Sequence, residues 1–127
     1  MQGQYGGIVP YLFLDDAAAA MQWYGRVFGF EELSRWPGAD GAVANAEMRI
    51  GTTELWLDGS GKRADTDPRP YWLGVWVGDV DAVCARIRAA GVSCDDPIDR
   101  EFGVRMLNVA DPFGYLWGFI RRLQPGG

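Results

Sequence analysis

The chain has 127 residues, 48% of them hydrophobic, with a formal net charge of −5 and no histidine. That length suits one domain or two small modules, with enough apolar material for a packed interior. Lacking histidine, it has no Ser-His or Cys-His nucleophile pair, no histidine general base and no histidine-held zinc or iron. The acidic balance argues against nucleic acid as a partner, because phosphate binding needs a basic surface.

The N-terminal stretch MQGQYGGIV lacks the basic start of a secretory signal, and no run reaches the roughly 18–20 apolar residues of a membrane span. A cytoplasmic protein with no membrane partner is the expectation. The first strand is expected over IVPYLFL, residues 8–14. Its Ile8, Pro10, Leu12 and Leu14 alternate with Val9, Tyr11 and Phe13, which puts the two sets on opposite faces. Asp16 then caps a helix whose Ala17, Ala20, Met21, Tyr24, Val27 and Phe28 share one side. Gly29 stops it. Strands follow at about 31–36, 43–50 and 53–58, with a turn at Asp40-Gly41. In them Ala46, Met48, Leu55 and Leu57 suit a helix-covered face. Glu47, Arg49, Glu54, Trp56 and Asp58 share the other, the wall of a concave site.

The stretch DGSGKRADTDPRP is rich in Gly, Pro and charge and reads as a linker. The pattern then repeats. The strand YWLGVWV places Trp72, Gly74 and Trp76 on one face. Asp79 caps a second helix, with Val80, Val83, Cys84, Ile87 and Ala90 on one side and Gly91 as its stop. Strands are expected at about 92–95, 102–109 and 115–121, with Asp111-Pro112-Phe113-Gly114 as a type I turn. The two cysteines, Cys84 and Cys94, read as buried or half-buried free thiols. The fold class is therefore α+β: two βαβββ modules (1–58 and 71–127, joined by 59–70) forming a curved, mostly antiparallel sheet around a cavity, helices outside.

The segments IVPYLFLDDAAAAMQWYGRVFGF and DPFGYLWGF resemble the glyoxalase / bleomycin-resistance / extradiol dioxygenase family, the vicinal oxygen chelate superfamily. The resemblance covers both repeats. Enzymes of that family hold a metal with one side chain from each of four strands, commonly two His and two Glu. Carried across, those positions are Val9, Trp56, Trp72 and Gly118, none of which can bind a cation through its side chain. The resemblance to the metal-free members implies no metal, no cofactor and a homodimer.

Trp56 and Trp72 then line an aromatic cavity, joined by Trp76 and Tyr11 on the same faces, with Gly74 and Gly118 leaving floor for a flat ligand. Trp117 alternates away from the cavity, and Trp23 belongs to the helix. The carboxylates Glu47 and Glu54 favour a cationic ligand. Arg49 shares the face of Glu47 and could pair with it. The expected function is non-catalytic sequestration of a planar aromatic, cationic antibiotic or natural product. Its expected site is Trp72, Trp56, Trp76, Tyr11, Val9, Gly118, Glu54 and Glu47, with no catalytic residue. The alternatives are a metal-independent lyase or isomerase using Glu47 or Glu54 as acid or base, and a pocket for an unrelated metabolite.

Overall fold

Asp16 and Asp79 open the two helices by the same device. The Asp16 Oδ1 accepts from the backbone N–H of Ala19, and the Asp79 Oδ1 from that of Ala82, each at 3.0 Å. Each satisfies an N–H that the first helical turn leaves without an intrahelical partner. In a computed structural model of the chain, described here over residues 6–60 and 72–124, the two capped helices fall one in each of two compact units, Met1–Asp67 and Pro68–Gly127. The expected linker lies largely outside the described residues.

In the first unit, β1 (Tyr11–Phe13) leads into α1 (Ala17–Trp23), which runs on as a π-helical stretch over Tyr24–Phe28. Gly29 ends it at φ 80°, a left-handed conformation that suits glycine. Then come β2 (Glu31–Pro37), β3 (Val43–Ile50) and β4 (Thr53–Asp58). The sheet order is β1-β4-β3-β2, with β1 parallel to β4 and the remaining pairs antiparallel. Leu12, Ala46, Met48, Leu55 and Leu57 are buried, as are Ala17, Ala20, Met21, Tyr24 and Val27 of the helical segment. The alternation expected from the sequence therefore holds through β3 and β4. At the chain's start it does not: the strand is only three residues long, and Ile8 is 84% exposed.

The second unit repeats the plan with β5 (Leu73–Trp76), α2 (Val80–Ala89), β6 (Ile98–Asp99), β7 (Val104–Ala110) and β8 (Leu116–Arg122). Its sheet order is β5-β8-β7-β6, again with the first pair parallel and the others antiparallel. Val80, Cys84 and Ile87 of α2 are buried, as are Leu107, Val109, Trp117 and Phe119 of the sheet. Trp117 is thus core, as its parity indicates. Its Nε1 donates to Asp111 Oδ2 at 2.9 Å, while Asp111 Oδ1 accepts from the N–H groups of Phe113 and Tyr115. The one buried carboxylate among the described residues thereby holds the DPFG turn to the core.

The strand expected at 92–95 is absent. Residues 92–97 have no regular structure, and the short β6 begins at Ile98. Two aspartates and Pro97 disfavour a strand there. The carbonyl of Cys94 instead accepts from Arg88 at 3.1 Å, and Val92 N–H bonds back to Ile87 at 3.2 Å.

Candidate functional site

On the face of the first sheet away from α1, cross-strand register assembles two rows. Tyr11, Trp56, Glu47 and Ser34 form one; Phe13, Asp58, Asn45 and Trp36 form the other. Between them opens a pocket of about 290 Å³ lined by Tyr11, Trp36, Asn45, Ala46, Glu47, Trp56 and Leu57. Its walls are aromatic, and Glu47 is the only charged group among those lining residues.

The Trp56 indole is fixed from two sides. Its Nε1 donates to Glu54 Oε1 at 2.8 Å, two residues back on the same strand face. The Tyr11 ring meets it edge-on at 6.0 Å, and Phe13 stacks on Tyr11 at 5.2 Å. Glu54 therefore orients the indole and is not among the residues lining the pocket. The Tyr11 hydroxyl accepts from Asn45 Nδ2 at 2.7 Å and donates weakly to Asp58 Oδ2 at 3.4 Å. Partial removal from water and the Asp58 carboxylate hold this phenol above its ordinary range, so it stays a neutral donor.

Glu47 accepts from the Ser34 hydroxyl at 3.2 Å and has no basic partner among the described residues. Arg49 pairs instead with its cross-strand neighbour Glu31 at 3.4 Å. Val9 lies beside β1, exposed and away from the pocket lining.

Sequence reasoning missed Trp36 and Asn45. A register shift between Glu32 and Ser34 explains Trp36. Strict alternation from Glu31 would turn Trp36 to the opposite face, but one extra residue on β2 reverses its side. Asn45 lies two residues before Glu47 and so on the same face of β3, but an uncharged amide carries no sequence signal of its own.

In the second unit the Trp72 indole lies flat across Gly74 and Gly118, which are cross-strand partners. A methyl group at Gly118 would collide with its Cζ2, Cε2 and Nε1, and one at Gly74 would come within 2.6 Å of Cζ3. Its Nε1 donates to Asn108 Oδ1 at 2.9 Å, and Asn108 is the β7 neighbour of Gly118. The glycines do not leave open floor for a ligand, as the sequence suggested. The floor is covered by Trp72 itself, whose outer surface remains 42% exposed. Trp76 is more exposed, with the Arg122 guanidinium 4.8 Å from its ring centre, a cation–π contact that takes one face.

The four family metal positions fall two to a unit: Val9 and Trp56 in the first, Trp72 and Gly118 in the second. The donor set does not fit a metal. Both indole N–H groups are donors already committed to Glu54 and Asn108, and neither Val nor Gly offers a side-chain lone pair.

Residues 7–119 match the glyoxalase family, described as the Glyoxalase/Bleomycin resistance protein/Dioxygenase superfamily. The chain belongs to this superfamily. An uncharacterised protein of Mycobacterium bovis, Mb0911c, is 35% identical over 118 residues, covering 85% of this chain and 78% of its own. Among solved structures, TioX from Micromonospora sp. ML1 is 31% identical with a TM-score of 0.77, over 94% of this chain and all of its own. TnmS3, an antibiotic binding protein from Streptomyces sp. CB03234, is 25% identical with a TM-score of 0.75, over 96% of this chain and 99% of its own. The superfamily's two-module α+β plan, each helix outside its mostly antiparallel sheet, is the one found here.

Proposed function

We propose that the protein is a binding protein for a planar aromatic, cationic antibiotic or natural product, which it withholds from its target without making or breaking a bond. The observation that carries the reading is the first-unit pocket: two indoles and a phenol around a carboxylate that has no basic partner among the described residues. Offset stacking on such rings contributes about 0.5–1.5 kcal/mol beyond area burial, and more for a cation. Trp56 and Tyr11 supply stacking surface, Trp36 the opposite wall, and Glu47 the charge. In the second unit, Trp72 presents a second flat aromatic surface over Gly118, with Trp76 beside it. Glu54 acts through Trp56. The antibiotic-binding neighbour TnmS3 is consistent with this class of ligand.

The same reading makes the chain a homodimer in the cytoplasm, with neither nucleic acid nor membrane as partner and with no cofactor. The aromatic side chains exposed on that face, Tyr11, Phe13, Trp36 and Trp56, support a second copy covering it. The superfamily's description also names glyoxalases and dioxygenases, so an enzyme is the competing reading. It is disfavoured because Glu47 is the only carboxylate among the lining residues, and the other titratable group there, the Tyr11 phenol, is held above its ordinary range.

A tryptophan-fluorescence titration tests the proposal. The ligands are bleomycin, a mitomycin, a quinoxaline or quinoline peptide antibiotic, and the methylglyoxal–glutathione adduct as the enzyme-type control. Saturable quenching by a planar drug in the micromolar range or below, lost in Trp56→Ala, supports it. Turnover of the adduct with no response to any drug refutes it.

A further inference from the structure

Cys84 sits in the second turn of α2 and Cys94 in the irregular segment beyond it. Their sulfur atoms are 3.7 Å apart, and both are free thiols. Cys84 is buried; Cys94 is half-exposed, so a solvent-borne reagent reaches Cys94 first. Arg88, one turn along the helix from Cys84, fixes the approach. Its Nη2 donates to the Cys94 carbonyl at 3.1 Å and to Asp96 Oδ1 at 2.7 Å. That fork clamps the segment after the helix and holds Cys94 over Cys84. A disulfide needs the sulfurs about 2.05 Å apart, so the 3.7 Å separation leaves a short movement to close.

We infer that Cys84 and Cys94 form a reversible oxidation site that closes an intrachain disulfide and staples α2 to the segment 92–97. The oxidant is a low-molecular-weight disulfide. The Cys94 thiolate attacks one of its sulfurs, giving a mixed disulfide and releasing one small thiolate. The Cys84 thiolate then attacks the Cys94 sulfur, forming the protein disulfide and releasing the second. The two protons lost by the protein go to the released thiolates. Two protein thiols are oxidised, and one small disulfide is reduced to two thiols. Burial and the neighbouring Cys84 push the Cys94 thiol up, against the opposing Arg88 charge, so closure quickens as pH rises above neutrality.

The test is to incubate the native protein with oxidised glutathione, quench with acid and measure intact mass. The wild type should lose two hydrogens with no lasting glutathione adduct, and dithiothreitol should reverse the change. Cys84→Ser should stop at a single glutathione adduct on Cys94. The oxidised wild type should unfold at a higher urea concentration than the reduced protein. Stable adducts on the wild type, disulfide-linked dimers, or thiols that react only in denaturant would each overturn the inference.

Discussion

Trp72 shows how a single residue can replace one kind of site with another. At the position that the family resemblance aligns with a metal ligand, this chain has an indole, and two glycines let it lie on the sheet. Gly118→Ala should therefore displace the ring, because the added methyl has no room. We expect a loss of about 1–3 kcal/mol in stability and an altered near-ultraviolet circular dichroism signal. Unchanged values for both would mean the indole is not held against the glycine. Trp117 makes the contrasting case. Trp117→Phe keeps much of the ring but removes the indole hydrogen bond to the buried Asp111 carboxylate, and urea unfolding should register about 1–3 kcal/mol of destabilisation. Near-neutral behaviour would show that water replaces the indole there.

Among elements, those with a clean period were legible in the sequence. Ala46 and Met48 against Asn45 and Glu47, or Leu55 and Leu57 against Glu54 and Trp56, fix which face of β3 and β4 is covered. The capping aspartates and their glycine stops likewise follow from local chemistry. Illegible were features set by register and tertiary contact. The irregularity in β2 that turns Trp36 into the pocket leaves no mark in composition, and the fork that occupies 92–97 comes from one side chain, Arg88, in the last turn of the preceding helix. The flat seating of Trp72 depends on three strands at once.

The second helix is tied to its sheet by Arg105, which bonds Asp81 at 2.8 Å and Asp99 at 2.9 Å. Arg105 holds the Asp81 carboxyl below its usual range, chiefly by hydrogen bonding. A carboxylate with a depressed folded-state pKa contributes stability above its unfolded value of about 3.9, and loses that contribution as pH falls through the folded value. Asp81→Asn should therefore be less stable than wild type near neutrality, with the difference closing in acid. Both groups are solvent-accessible, so the effect should be small and salt-sensitive. A difference that persists undiminished at low pH would contradict this account.

For the whole molecule, a small acidic α+β protein of the superfamily presents exposed aromatic surface on both of its units. Sedimentation equilibrium should give twice the chain mass. A monomer at micromolar concentration would mean that the apolar rim of the pocket faces water. The central claim is that the first-unit pocket selects a planar cation. The most direct measurement is calorimetric titration of wild type and Glu47→Gln with two ligands sharing one ring system, an aminoacridine cation and an acridine carboxylate anion. The account predicts that wild type binds the cation at least about tenfold more tightly, a difference of roughly 1.4 kcal/mol, and that Glu47→Gln narrows the gap. Equal affinities in wild type, or a preference for the anion, would contradict it.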